Sequence, residues 1–317
     1  MLEQPNKTFT DLLINRDFGS LLTVYFEFLK ANFKSFVNVF LRYNGWVMIG
    51  LLLTSYLLVS GFAGLIGSTG SQPPGVVPTD ADSYTVFLFL GIGLYVLFMV
   101  LAGILNMGLA TSYMVHYQEK EGSGASPRDI WKGFSGQLGQ IILFILLALA
   151  VYLITFIVGV ILAFIPIIGT LAYYALFFFI YAWLGISFFS LIAEKKGLGH
   201  ALLEGWDLVK SGFWTCVGVN FILGLLNYLL VLLLLTAPGV LVGIYTFHQF
   251  EVESRDTLEW LDTAIFSLGL CVLLVVMVFN QCLSQFVNGL LYYALHEKKY
   301  NINTRKKIEL IGKLDSQ

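Results

Sequence analysis

The stretch Gly133–Ala193, GFSGQLGQIILFILLALAVYLITFIVGVILAFIPIIGTLAYYALFFFIYAWLGISFFSLIA, runs for 61 residues without one Asp, Glu, Lys or Arg. A helix rising about 1.5 Å per residue crosses a hydrocarbon core of about 30 Å in roughly 20 residues. The stretch is therefore too long for one crossing and long enough for two. Near its middle, Pro166-Ile167-Ile168-Gly169 supplies the break, since proline interrupts a helix and glycine permits a tight reversal. Two spans are predicted, near 139–164 and 170–192, folded back on each other.

Outward from this pair lie four more charge-free stretches, 43–79, 83–118, 211–250 and 263–296. Charges mark the boundaries because Lys, Arg or Asp at mid-membrane costs about 2.5–3.5 kcal/mol. Four further spans follow, near 44–66, 86–113, 214–237 and 262–294, the first ending in a Gly/Ser/Pro loop over Gly67–Thr85. Composition agrees: 57% of residues are hydrophobic, 12% are charged and the mean hydropathy is +0.80. A soluble domain carries about 25% charged residues, and so little charge cannot coat a soluble particle of this size. The net charge of −2 gives no reason to expect a nucleic-acid partner.

Basic residues set the orientation. Seventeen of the 18 fall in the N-terminal segment, the second-to-third connection, the fourth-to-fifth connection and the C-terminal tail. Only Arg255 lies on the other side, among Glu251, Glu253, Asp256 and Glu259. The positive-inside rule makes the seventeen-residue side cytoplasmic. A bacterial inner (plasma) membrane with both termini in the cytoplasm is the expected location. The N-terminus, Met1–Asp17, is polar with no apolar core behind it, so no cleaved signal peptide is expected.

A unit recurs three times. Even-numbered spans leave the membrane through Tyr117-Gln118-Glu119-Lys120-Glu121-Gly122, Ile192-Ala193-Glu194-Lys195-Lys196-Gly197 and Leu295-His296-Glu297-Lys298-Lys299-Tyr300. Odd-numbered spans follow short stretches in which lysine precedes phenylalanine, at Lys30–Phe33, Lys132–Phe134 and Lys210–Phe213. Leu21, Leu22, Tyr25, Phe26, Phe28 and Leu29 give the first stretch an apolar face, and Ala201, Leu202, Trp206, Leu208 and Val209 give one to the third. The expected fold class is thus an all-α integral membrane protein. Its six transmembrane helices form three hairpins, each preceded by a cytoplasmic interfacial helix. The domain division is 1–17 as an N-terminal segment, 18–296 as the membrane domain and 297–317 as a basic tail.

The fourth-to-fifth connection carries a resemblance. Glu194-Lys195-Lys196-Gly197, Ala201-Leu202 and Trp206-Asp207-Leu208-Val209-Lys210-Ser211-Gly212-Phe213-Trp214 resemble a bacterial membrane superfamily pattern. That pattern has a Glu-x-x-Gly turn, an Ala-Leu-x-x-Ser-Trp-x-Leu helix and a Gly-x-Phe-Trp entry. It occurs in the membrane domain of some glycerophosphoryl diester phosphodiesterases and in stand-alone relatives. Leu291-Tyr292-Tyr293-Ala294-Leu295-His296 is similar to the family's Leu-Tyr-Tyr-x-x-Arg ending. Gly205 stands at the usual serine and His296 at the usual arginine. The 317 residues hold no barrel for a phosphodiesterase site, so the resemblance implies a membrane domain and not the activity.

Candidate chemistry is sparse. Gly133-Phe134-Ser135-Gly136 matches the Gly-x-Ser-Gly signature of rhomboid intramembrane proteases, and His296 is the histidine that could activate Ser135. A small-residue helix entry explains the same four residues, which leaves an intramembrane hydrolase as a remote alternative. The sixth span has Asn280, Ser284 and Asn288 at i, i+4 and i+8, with Gln281 and Gln285 beside them. Asn106, Asn220 and Asn227 on other spans could meet this polar seam. Inter-helix hydrogen bonding is the favoured reading, since no mid-membrane carboxylate or base is present to couple ions, and a transport path is the alternative. His248, Glu251, Glu253, Asp256 and Glu259 form an acidic outer loop without the geometry of a cation site.

Cys216, Cys271 and Cys282 sit in apolar stretches as buried free thiols. The small residues Gly61, Gly64, Gly67, Gly91, Gly93, Gly103 and Gly108 permit close helix packing. No catalytic residue, cofactor or metal ligand is expected. Lys30, Lys34, Lys132, Lys195, Lys196, Lys210, Lys298 and Lys299 are placed to contact lipid headgroups. The expectation is a non-enzymatic membrane scaffold or accessory subunit, with membrane lipids and other membrane proteins as candidate partners. The topology predicts that single cysteines at 125 and 254, in a cysteine-free background, react with an impermeant maleimide from opposite sides. Labelling of both from one side would overturn the six-span arrangement.

Overall fold

The computed structural model describes residues 9–70, 81–122, 126–251, 259–306 and 308. Among them there are helices and no strands. Eight helices follow in order: α1 Phe18–Gly70, α2 Ala81–Glu119, α3 Pro127–Ser135, α4 Leu138–Leu162, α5 Ile168–Glu194, α6 Leu198–Ser211, α7 Phe213–Glu251 and α8 Glu259–Tyr300. Six of them, α1, α2, α4, α5, α7 and α8, are long and apolar enough to cross a membrane. Hydrocarbon offers no hydrogen bonds, so a spanning backbone must satisfy its own groups, which a continuous helix does.

The two short helices lie where charged, aromatic sequence precedes a span. Ser126 caps α3 by accepting from the Asp129 amide, with Pro127 at its first position. Ile130 and Phe134 of α3 are buried, whereas Trp131 and Lys132 are exposed. Glycine separates each short helix from the span that follows it, at Gly136 for α3 and Gly212 for α6.

The N-terminal copy differs from expectation. No separate helix precedes the first span, because α1 is continuous for 53 residues, about 80 Å at the usual rise per residue. The reason is local: no glycine or proline falls between Gly19 and Gly45, so nothing interrupts the backbone ladder. The polar loop is also shorter than Gly67–Thr85, since α1 continues to Gly70 and α2 begins at Ala81.

The chain divides into two compact units. Unit 1 comprises Met1–Val39, Met107–Asn227 and Cys282–Gln317, and unit 2 comprises Phe40–Asn106 and Tyr228–Gln281. In unit 1, Phe28, Phe36, Tyr113 and Phe286 form an edge-to-face aromatic cluster that joins α1, α2 and α8. Around it, the Tyr25 hydroxyl donates to Asn227 Oδ1 at 2.6 Å and the Tyr113 hydroxyl donates to Asn32 Oδ1 at 3.1 Å. The helices α4 and α5 pack against each other across Pro166–Ile168, where Ile167 takes φ 62°. Positive φ is costly for a β-branched residue, so this turn is a strained one.

The three predicted span exits share a backbone feature. Positive φ occurs at Glu121 and Gly122, at Lys195 and Gly197, and at Asn301. Each exit therefore reverses through the left-handed region.

In unit 2, small residues bring α1 and α2 together. A Cβ on Gly61 would lie 2.7 Å from the Leu88 amide nitrogen and 3.0 Å from the Tyr84 carbonyl oxygen. Nothing lies within 4 Å of the corresponding position on Gly93. Gly61→Ala must therefore push two backbones apart, a cost of about 1–3 kcal/mol, and should lower the thermal unfolding midpoint in detergent. Gly93→Ala should leave it unchanged, and equal midpoints for the two variants would contradict this packing.

Candidate functional site

The helix α5 ends at Glu194, and Lys195 turns the chain with φ 57° and ψ 27° before Gly197 at φ 96°. That reversal lays α6 back along α5. The approach is close because Gly205 faces Ser187, whose backbone and Oγ occupy the space a side chain would need. Trp183 Nε1 donates to the Leu202 carbonyl at 3.1 Å, and Trp206 stands edge-to-face against both Trp183 and Phe179. The neighbour of Gly205 is Glu204, which this packing carries inside to 8% exposure.

Meeting it is one face of α8. Tyr292, His296, Lys299 and Tyr300, at i, i+4, i+7 and i+8, share that face. Glu194 Oε1 accepts from the Ser190 hydroxyl at 3.0 Å and the Tyr292 hydroxyl at 2.9 Å. Its Oε2 accepts from Lys196 Nζ at 2.8 Å and lies 3.7 Å from His200 Nδ1. Glu204 Oε2 accepts from Lys299 Nζ at 3.3 Å and the Tyr300 hydroxyl at 2.9 Å. Tyr292 and Tyr300 hold the His296 ring at centroid distances of 5.2 and 4.7 Å.

The charge states follow from this geometry. Burial pushes the Glu194 carboxyl up, but hydrogen bonds from Lys196, Tyr292 and Ser190 outweigh it and hold the group below its ordinary value. Burial lowers His296, and the Lys196 and Lys299 charges add to that against the opposing pull of Glu194 and Glu204, leaving it below its ordinary value. The site thus sets two acidic side chains beside an imidazole, with Lys196 and Lys299 at its flanks.

One residue past His296 on α8, Glu297 fastens the tail. It is 2% exposed and accepts from the Asn303 amide, the Thr304 amide and the Thr304 hydroxyl. Asn303 Nδ2 in turn donates to Asp11 Oδ2 and the Leu13 carbonyl, while Gln118 Nε2 donates to Asp11 Oδ1. The described ends of the chain are thus tied to the end of α2. Nearby, Asn15, Arg16, Asp17, Phe18, Leu21, Thr215, Ala294, Leu295 and Lys298 line a cleft of about 410 Å³.

The expected polar seam is dispersed. In unit 2, Asn106 Nδ2 donates to the Val278 carbonyl and to Gln281 Oε1 at 3.1 Å. In unit 1, Gln285 Nε2 donates to Thr111 Oγ1 at 2.9 Å, Ser284 bonds with Tyr181, and Asn288 packs against Gly185. Asn227 accepts from Tyr25, Asn220 donates to the Cys216 carbonyl within its own helix, and Asn280 bonds to no other member of the set. Bonds between helices are made by Gln281, Ser284 and Gln285 of α8 and by Asn227 of α7.

All eight expected headgroup lysines are exposed, and Lys196 and Lys299 are taken up in ion pairs. Gly133 lies against Ser112, which explains its small size, and Ser135 bonds to no histidine among the described residues. Cys216, Cys271 and Cys282 are free and buried. The acidic loop at 252–258 and the side chains of His248, Glu251 and Glu259 lie outside the described residues.

Glu204 was absent from the expected set although the sequence carries a signal for it. The buried positions of α6, Ala201, Glu204, Gly205, Leu208 and Val209, follow the spacing i, i+3, i+4, i+7, i+8. A carboxylate on that stripe is the anomaly to notice.

No family model, curated protein or solved structure matches the chain. The six long apolar helices make it a polytopic membrane protein.

Burial raises the Glu297 carboxyl, but the hydrogen bonds from Asn303 and Thr304 more than offset it, leaving the group below its usual value. A depressed value stabilises the docked tail above the ordinary carboxylate range and loses that stabilisation as pH falls through the lower, folded value. Amides of 302–306 should exchange hydrogen faster in Glu297→Gln than in wild type near neutral pH, with the gap closing in acid. An unchanged exchange rate at neutral pH would refute the anchor.

Proposed function

We propose that this chain is a non-enzymatic membrane scaffold or accessory subunit that holds anionic lipid headgroups through a belt of basic and aromatic residues at the cytoplasmic surface. The observation that carries the reading is the availability of its lysines. Lys30, Lys34, Lys132, Lys195, Lys210 and Lys298 are exposed and make no ion pair among the described residues. Each such charge near an anionic surface contributes about 1 kcal/mol.

Aromatic groups support the same reading. Trp206 and Trp214 are 41% and 79% exposed, in the second half of α6 and at the start of α7, where an indole can sit half in the headgroup layer. Lys298 also lines the cleft beside α1 and α7, giving one headgroup a place of defined size. A bacterial inner membrane with cytoplasmic termini fits the distribution of basic residues. The rival reading, a conduit along the polar seam, has less in its favour because Asn106, Gln285 and Asn227 are engaged in bonds between helices.

The test is lipid retention by the full chain in mild detergent, counted by native mass spectrometry against anionic and zwitterionic lipids. Wild type should retain anionic lipid preferentially. Replacing Lys30, Lys34, Lys132 and Lys210 together by Gln should lower that preference at least about tenfold, given about 1 kcal/mol per charge. Equal retention of both lipids by wild type would sink the proposal.

A further inference from the structure

The junction of α5, α6 and α8 has features that an ion-pair network alone does not explain. One carboxylate oxygen each from Glu194 and Glu204 and one ring nitrogen of His296 all lie within 4.8 Å of one another. Glu204 is more than nine-tenths buried, yet only its Oε2 is bonded, and Oε1 is enclosed with no hydrogen-bond partner. Leaving a buried acceptor unsatisfied costs about 1–3 kcal/mol, more for a charged group. Ordinary packing selects against such an atom.

We propose that Glu194, Glu204 and His296 bind one divalent transition-metal ion, of the zinc or manganese class. The ion meets the unpartnered Glu204 oxygen without displacing Lys299 or Tyr300, since both bond to Oε2. His296 is suited to the part because neither ring nitrogen makes a hydrogen bond among the described residues, and two tyrosines fix its ring. Ser190 and Tyr292 orient Glu194 from behind, as outer-shell donors orient metal-binding carboxylates.

Lys196, whose side chain is 59% exposed, leaves Glu194 for solvent when the ion enters. Bonds of about 2.0–2.2 Å set tetrahedral ligand atoms roughly 3.5 Å apart, a spacing inside the 4.8 Å within which the three atoms lie. Two carboxylates neutralise the ion, and the imidazole selects it over calcium and magnesium, which prefer all-oxygen shells. With three protein ligands, the fourth position is open to water. This inference is independent of the lipid reading.

The full chain in mild detergent, stripped with a chelator, is titrated calorimetrically with zinc chloride or manganese chloride alone. One equivalent should bind to wild type with at least one of the two. Glu204→Gln should weaken binding at least tenfold. His296→Arg should abolish it while the chain stays folded, because the guanidinium itself neutralises the carboxylate pair. Asp207→Asn, in an exposed neighbour of Lys299, should change nothing. Absence of saturable one-equivalent binding by wild type overturns the proposal, as does wild-type affinity in folded His296→Arg. Should Glu204→Gln fail to fold, His296→Arg decides alone.

Discussion

Placing a charge in hydrocarbon is expensive, and that cost orders the whole chain. Charged side chains are confined to the connections and ends, and the long segments between them are left to apolar and small residues. The segments of unit 1 carry 16 of the 18 basic residues and 13 of the 20 acidic ones, a net +3. Those of unit 2 carry 2 basic and 7 acidic residues, a net −5. One unit is therefore positive and the other negative, although the whole chain is close to neutral.

The same cost makes Glu204 the most informative residue of unit 1. A carboxylate goes inside only if something holds it there, and here the backbone does so. Gly205 removes the side chain that would keep α6 away from α5, and the close approach that follows buries its neighbour. Lys299 and Tyr300 of α8 then satisfy one oxygen, which fastens the end of the last long helix to α6. The packing of α6 on α5 and the burial of Glu204 thus share one cause, the missing Cβ at position 205.

Buried amides show a second economy. In both units, glutamine and asparagine reach across to neighbouring helices instead of lining one continuous path. Each such bond contributes about 0.6 kcal/mol on average in membranes, so their value lies in register more than in stability. Asn106 to Gln281 sets α2 against α8 in unit 2, and Thr111 to Gln285 does so in unit 1.

Span number and the reversal at Pro166–Gly169 were readable from charge-free lengths, because the bilayer imposes one dimension on any helix crossing it. The buried stripe of α6 was readable in part: Ala201, Leu208 and Val209 lie on it, but Leu202 and Trp206 do not, and Glu204 and Gly205 take their places. Which amides would pair was not, because a stripe seen on one helix says nothing of how its neighbours are rotated. Nor could the sequence place His296, Tyr292 and Tyr300 against Glu194 and Glu204, about 100 residues away. Only the packing of α5, α6 and α8 decides that, since it depends on how closely two backbones can approach at Gly205.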